Sequence, residues 1–210
     1  MSISVLIVDD HEVVRLGLQT QLAEADIEVV GQAQDAKSAV ALATQTQPQI
    51  VLLDVRMPDT DGLDLLEELR TIAPHSRVII LSAYDNPTYV ARAVTLGASD
   101  YVLKGSGKAE LLASIRAVAS GDRSRQSALV RRIEAVLQST NEAPVSGAAL
   151  TTRESQVLRH LALGLSNKDI GRSLSISIET VKEHVQNVLR KMGVIDRTQA
   201  AVEAVRQGVV

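Results

Sequence analysis

The sequence has no cysteine, no tryptophan and no phenylalanine, and three tyrosines are its only aromatic residues. Without cysteine there is no disulfide framework and no thiolate metal site, which fits a reducing compartment such as the cytoplasm. Long apolar runs are also missing. The longest, such as Val5 to Val8 and Val78 to Leu81, fall far short of the ~20 residues that span a bilayer, so no membrane partner is expected. The opening Met1-Ser2-Ile3-Ser4 carries no basic region ahead of an apolar core, and Asp9 and Asp10 end the first apolar run, so no signal peptide is read.

Charge is present in both signs but unevenly placed. Residues 1–121 hold 9 Lys/Arg against 16 Asp/Glu, a net of −7, whereas residues 149–210 hold 9 against 6, a net of +3. Such a division suggests different partners for the two halves, with polyanions suited to the second. A +3 excess says little by itself.

The acidic half alternates short β-branched runs with helical patterns. Ile3 to Val8, Ile27 to Val30, Ile50 to Leu53, Val78 to Leu81 and Tyr101 to Leu103 read as strands, apolar throughout and therefore buried on both faces. Helical segments are expected near 12–24, 35–46, 63–72, 87–96 and 108–119, with Gly97 and Gly121 placed as C-caps. Five β/α repeats predict a parallel, doubly wound α/β domain over residues 1–121, whose functional residues collect at the carboxyl ends of the strands. Residues 122–148 read as a linker in which Ala128, Leu129, Ile133, Val136 and Leu137 have the spacing of an amphipathic helix, followed by turn-prone residues 139–147. Residues 149–210 read as an all-α domain of four helices at about 152–163, 167–174, 178–192 and 197–207. Two of these helices open with capping-box pairs, Thr151 with Glu154 and Ser166 with Asp169.

Four of the predicted strands end in polar residues that make chemical sense together. Asp9 and Asp10 follow the first, Asp54 the third, Ser82 the fourth and Lys104 the fifth. Three close carboxylates repel one another unless a cation joins them, and Mg²⁺, a hard ion held by a few carboxylates and water, suits such a set. Phosphoryl transfer to a carboxylate calls for a metal, a positive side chain and a hydrogen-bond donor. Asp54 supplies the nucleophile, Lys104 the cation and Ser82 the donor. Taken singly, an Asp pair after a strand is commonly a helix cap, Lys104 a loop lysine and Tyr101 simple packing; their joint placement carries the reading. His11 and His75 are read as surface histidines.

The residues Val8-Asp9-Asp10, Leu53-Asp54-Val55-Arg56-Met57-Pro58 with Asp61-Gly62, Leu81-Ser82-Ala83, and Gly97-Ala98 through Tyr101-Val102-Leu103-Lys104 resemble those of bacterial response-regulator receiver domains, over essentially all of residues 3–120. The resemblance implies a flavodoxin-like fold in which Asp10 binds Mg²⁺ directly, Asp9 directly or through water, and Arg56 by its backbone carbonyl, with Asp54 a further ligand. It implies that Asp54 accepts a phosphoryl group from a cognate sensor histidine kinase, that Ser82 then turns toward the phosphate, and that Tyr101 swings inward with it. One departure is Gly105, where many receivers carry a cis proline. Arg56 and Tyr84 occupy positions that tune the phosphoryl lifetime in this family.

In segment 178–192, Val181, Val185, Val188, Leu189 and Met192 form a core stripe at helical spacing, leaving Lys182, Glu183, Gln186, Asn187, Arg190 and Lys191 elsewhere on the helix. Periodicity alone fits a helical bundle with a solvated face as well as it fits a recognition helix. The runs Leu150-Thr151-Thr152-Arg153-Glu154, Gly164-Leu165-Ser166-Asn167-Lys168-Asp169-Ile170, Thr180-Val181-Lys182-Glu183-His184-Val185 and Lys191-Met192-Gly193-Val194 resemble the LuxR-type helix-turn-helix domain over residues 149–207. With the receiver, the whole chain resembles the NarL/FixJ subfamily of response regulators.

That resemblance implies that Lys182, Glu183 and Gln186 face the major groove of double-stranded promoter DNA, while Lys168, Asn187, Arg190 and Lys191 position phosphates. It further implies homodimerisation on phosphorylation, through the last helix or another surface, and RNA polymerase as a further partner. The chain is expected to act as a cytoplasmic transcription regulator, catalysing at most its own phosphorylation and dephosphorylation. One rival is a receiver-like regulator that works without phosphorylation. The other is an aspartate-nucleophile phosphatase, which would need a second aspartate two residues after Asp54, where Arg56 stands.

Overall fold

A computed structural model describes residues 2–23, 26–58, 60–139 and 150–210. The turn expected at 139–147 lies, after its first residue, outside the described residues, as does the last residue of the expected linker, 148. The chain divides into two compact units, residues 1–85 with 96–130, and residues 86–95 with 131–210. The division falls inside the linker helix rather than at either end of it, because packing rather than chain order defines a unit. No helix among the described residues is long and apolar enough to cross a membrane.

The first unit is built on five parallel strands, β1 (Ile3–Val8), β2 (Ile27–Ala33), β3 (Ile50–Asp54), β6 (Arg77–Ser82) and β7 (Asp100–Leu103), in the order β2-β1-β3-β6-β7. The sheet therefore reverses its direction of growth at β1, between β2 and β3, the place where α/β folds open a crevice at their carboxyl edge. Asp54 pairs with Leu81 and Ser82 with Leu103, so the register sets their strand ends side by side. Between β3 and β6 the chain makes a small antiparallel pair, β4 (Arg56–Met57) with β5 (Thr60–Asp61), which the sequence pattern does not announce.

Side-chain alternation explains why the strands read as unbroken apolar runs. Val5, Ile7, Leu52, Ile79, Leu81 and Val102 pack with Leu18 and Leu22 of α1 (Glu12–Leu22) and with Leu111 and Ile115 of α5 (Lys108–Ser120). The intervening residues Leu6, Val51, Leu53 and Ile80 are equally buried, on the other face. Helices α2 (Ala36–Thr46) and α3 (Gly62–Ile72) lie against one another. Asp35 caps α2 through a capping box with Ser38, and Asp61 caps α3 by accepting from the Leu63 amide.

The second unit contains α4 (Pro87–Leu96) up to residue 95, together with most of α6 (Ala128–Gln138) and with α7 (Thr152–Ala162), α8 (Asn167–Leu174), α9 (Ile178–Met192) and α10 (Arg197–Arg206). A short 3₁₀ turn at Arg123–Arg125 precedes α6. Both expected capping boxes form, Thr151 with Glu154 at α7 and Ser166 with Asp169 at α8. Leu150, Leu158, Val188, Ala200, Ala204 and Val209 make the core that fastens α7, α9 and α10 together.

One close approach in the first unit fixes the backbone at the end of β3. A Cβ on Gly62 would lie 2.1 Å from the Asp54 carbonyl oxygen, so α3 starts directly against the end of β3. Gly62→Ala forces that backbone apart at a cost of about 1–3 kcal/mol. We expect a lower thermal midpoint and weaker acetyl phosphate labelling. A variant matching the parent in both would contradict this packing.

Candidate functional site: an acidic pocket and a helix-turn-helix surface

The strand ends bring Asp9, Asp10, Asp54, Ser82 and Lys104 to one edge of the sheet. Asp9 is fully buried and Asp54 nearly so. The Lys104 ammonium lies 2.6 Å from Asp9 Oδ2 and 2.9 Å from Asp54 Oδ2, bridging the first and third strands from the end of the fifth. Burial pushes the Asp54 carboxyl above its ordinary range, aided by the neighbouring Asp9 charge and only partly offset by Lys104. For Lys104 burial works the other way, but its two carboxylate partners prevail and raise the ammonium above its usual value. The pocket is thus one in which negative charge is costly and a cation is strongly held.

Backbone amides finish the arrangement. The Arg56 amide donates to Asp54 Oδ1 at 3.3 Å and the His11 amide to Asp9 Oδ1 at 2.9 Å. Ser82 Oγ accepts from the Tyr84 amide at 3.1 Å, and the Lys104 amide donates to the Ser82 carbonyl at 2.7 Å. The Arg56 guanidinium sits 4.9 Å from the centre of the Tyr84 ring, a cation–π contact. Tyr101, expected outside until phosphorylation, is already buried, and its hydroxyl donates to the Tyr84 carbonyl at 2.8 Å. No cis peptide occurs among the described residues, so the Lys104–Gly105 bond is trans.

Among the described residues, one group of acidic and imidazole side chains could hold a metal ion: Asp9, Asp10, His11 and Asp54, with ligand atoms within 4.8 Å of one another. Asp9 Oδ2 and Asp10 Oδ1 are shielded from water, and neither accepts a well-directed hydrogen bond. Buried carboxylate oxygens of this kind fit a hard divalent cation. Sequence reasoning missed two neighbours of the pocket. His11, read as a surface residue, is exposed and still places Nδ1 2.8 Å from Asp10 Oδ1. Arg15 donates to the Asp9 carbonyl at 2.7 Å. Their positions just after the Asp pair, at the N-cap and first turn of α1, were the available signal.

In the second unit, Ser175 takes the left-handed conformation at the end of α8, and Ser177 caps α9 by accepting from the Thr180 amide. A Cβ on Gly171 would lie 2.8 Å from the Ile176 carbonyl, so this turn closes tightly on α8. Val181 and Val188 are buried, which turns Lys182, Glu183, Gln186 and Arg190 out to solvent along one side of α9; Lys168 of α8 is also exposed. Arg190 donates to Asn187 Oδ1 at 2.8 Å. The Lys191 ammonium, expected to position a phosphate, lies 2.6 Å from Glu154 Oε2, tying α9 to the start of α7. Burial alone would raise the Glu154 carboxyl, but Lys191 and the Thr151 amide and hydroxyl outweigh it and hold it low.

Comparison with known proteins agrees with both halves. Residues 5–116 match the model for the response regulator receiver domain, and residues 148–204 match that for bacterial regulatory proteins of the luxR family. The chain is 38% identical to the transcriptional regulatory protein LiaR of Bacillus subtilis (strain 168), covering 99% of each chain. It is 33% identical to the response regulator protein VraR of Staphylococcus aureus (strain NCTC 8325 / PS 47), over the full length of both. Among solved structures it resembles the response regulator ChrA of a heme-sensing two-component system, at 34% identity and a TM-score of 0.53, covering 100% of this chain and 99% of that one.

His160 supplies a pH test of the helical unit. It is fully buried, with Nδ1 donating to the Gln156 carbonyl at 2.7 Å, which leaves Nε2 to accept from the Ser173 hydroxyl at 2.8 Å. Burial first, and then the adjacent Arg159 charge, hold its pKa below 6.5 despite the Gln156 bond. The unfolded ring takes a proton near 6.5 and the folded ring only at lower pH, so in between the unfolded chain binds more protons. This contribution is complete above 6.5, shrinks as pH falls below it, and levels off once the folded ring is also charged. Unfolding free energy compared between wild type and His160→Gln should show a steeper acid loss in wild type. Parallel pH profiles would contradict it.

Proposed function

Since the chain belongs to the response-regulator family, with a receiver domain and a LuxR-type DNA-binding domain, we propose that it is a transcription regulator switched by phosphorylation of Asp54 from a sensor histidine kinase. The observation that carries this reading is the Lys104 ammonium shared by Asp9 and Asp54 at the strand ends. A cation already in contact with Asp54 is placed to meet the added phosphate oxygens, and the Ser82 hydroxyl stands at the neighbouring strand end to donate to another. Asp9, Asp10, Asp54 and the Arg56 backbone carbonyl would hold Mg²⁺, which neutralises charge on the transferring group when bound.

The same residues serve loading and unloading, so the chain acts as a switch that catalyses its own phosphorylation and dephosphorylation rather than as an enzyme with an external product. Val13 and Leu16, exposed on α1, offer an apolar face on which a kinase can dock. On the helical unit, Lys182, Glu183 and Gln186 read base edges in the major groove, and Lys168, Asn187 and Arg190 position phosphates. Lys191 adds to this only with the charge that Glu154 leaves it. Val202 and Val205, exposed on α10, support pairing of two copies on DNA, each reading one half-site. Such a regulator works in the cytoplasm, with RNA polymerase as a further partner.

Acetyl phosphate with Mg²⁺ should label the wild-type chain at Asp54 and leave Asp54→Asn unlabelled; equal labelling of both would overturn the assignment. DNA affinity should fall steeply with salt. For Arg190→Ala the log–log salt slope should flatten by about one, as expected for one lost phosphate contact. A slope identical to wild type removes Arg190 from the interface.

A further inference from the structure

Among the described residues of the first unit, two carboxylates are fully buried, Asp9 and Asp100, and only Asp100 stands outside the phosphorylation chemistry. It opens β7 at the edge of the sheet opposite the acidic pocket. Its Oδ1 accepts from two backbone amides, that of Tyr101 at 2.8 Å and that of Ser127 at 2.9 Å, while Oδ2 accepts from the Ser114 hydroxyl at 2.6 Å. Tyr101 belongs to β7 and carries the ring that reaches toward the site, Ser114 belongs to α5, and Ser127 is the residue just before α6. One carboxylate therefore joins β7, the strand that carries Tyr101, to the residue that leads into the linker helix.

A second contact runs beside it. Gln126 is buried and its side-chain amide donates to the Ser99 carbonyl at 2.8 Å, again linking the segment before α6 to the start of β7. The end of the first unit is thus docked on β7 by buried polar contacts and is no loose tether. Burying a carboxylate is costly, and three donors compensate it here. Nothing in the phosphate chemistry calls for a charged group at this end of the strand; an apolar residue would fill a buried position at lower cost.

We infer that Asp100 is a positioning residue that couples β7 to the linker helix. This inference rests on the reading of Asp54 as a phosphoacceptor. A continuous path of contacts makes the coupling physical. Ser82 Oγ accepts from the Tyr84 amide, the Tyr84 carbonyl accepts from the Tyr101 hydroxyl, and the Tyr101 amide shares its acceptor oxygen with Ser127. When Ser82 turns to a phosphoryl group, its bond to Tyr84 is disturbed. Any shift of Tyr101 along or across the strand then alters how Asp100 Oδ1 is divided between its two donors. Coupling is read in a response to the site rather than in a stability.

Amide hydrogen exchange at Ser127, followed by NMR on the full chain with Mg²⁺, before and after adding beryllofluoride, gives that response. In wild type the Ser127 rate should change by about fivefold or more, within the usual range of site-to-site coupling. In Asp100→Asn the change should drop below about twofold, although acetyl phosphate still labels Asp54. Should Asp100→Asn fail to fold, Ser114→Ala and Gln126→Ala each remove one neighbouring contact and should reduce the response in a folded chain. Variants that respond as fully as wild type overturn the coupling while leaving the phosphorylation reading intact. A wild-type chain that takes neither label nor beryllofluoride overturns the phosphorylation reading itself.

Discussion

A single ammonium group, that of Lys104, lies within hydrogen-bond distance of two buried carboxylates that arrive from different strands. The pocket depends on it. Two carboxylates about 4 Å apart repel by about 4 kcal/mol at the effective dielectric of a partly buried site, and burial already raises Asp54. The rest of the first unit can be understood as what is needed to deliver residues 9, 54, 82 and 104 to one edge. Parallel pairing aligns the strand ends, apolar residues on both faces hold the strands, and α3 begins so close to β3 that only Gly62 fits.

Much of this was legible in the sequence, because parallel strands buried on both faces write themselves as unbroken apolar runs and the polar residue after each run marks its carboxyl end. Asp54, Ser82 and Lys104 were found that way. Partnerships were not legible. Nothing local to residue 191 says that its ammonium meets Glu154, and nothing local to Asp100 says that Ser127 approaches it; such pairs are set by how helices and strands pack. Helical spacing assigned Lys191 a place on α9 but not a neighbour. The β4–β5 pair escaped for a different reason, since two-residue strands carry no periodicity.

The two halves solve different electrostatic problems. In the receiver, charge is concentrated and buried, so that the proposed addition of a phosphoryl group would change a finely balanced site. In the helix-turn-helix domain, charge is spread over an exposed helix face, where it attracts DNA without costing the fold much, and the buried Glu154 is paired with the half-buried Lys191 to hold the helices. His160 shows the same economy, remaining neutral between a carbonyl and a hydroxyl. The family's architecture joins these halves, and the buried contacts of Asp100 and Gln126 show that the first part of the joint is built into the sheet.

In the proposed switch, chemistry at Asp54 governs what the recognition helix does, and this is a property of the full chain. It is tested most directly by the affinity of the full chain for a selected promoter fragment at fixed salt, with Mg²⁺ and with or without beryllofluoride. Affinity should rise about tenfold for wild type and not at all for Asp54→Asn. Equal affinity with and without beryllofluoride, in a wild-type chain shown to bind it, would contradict the account.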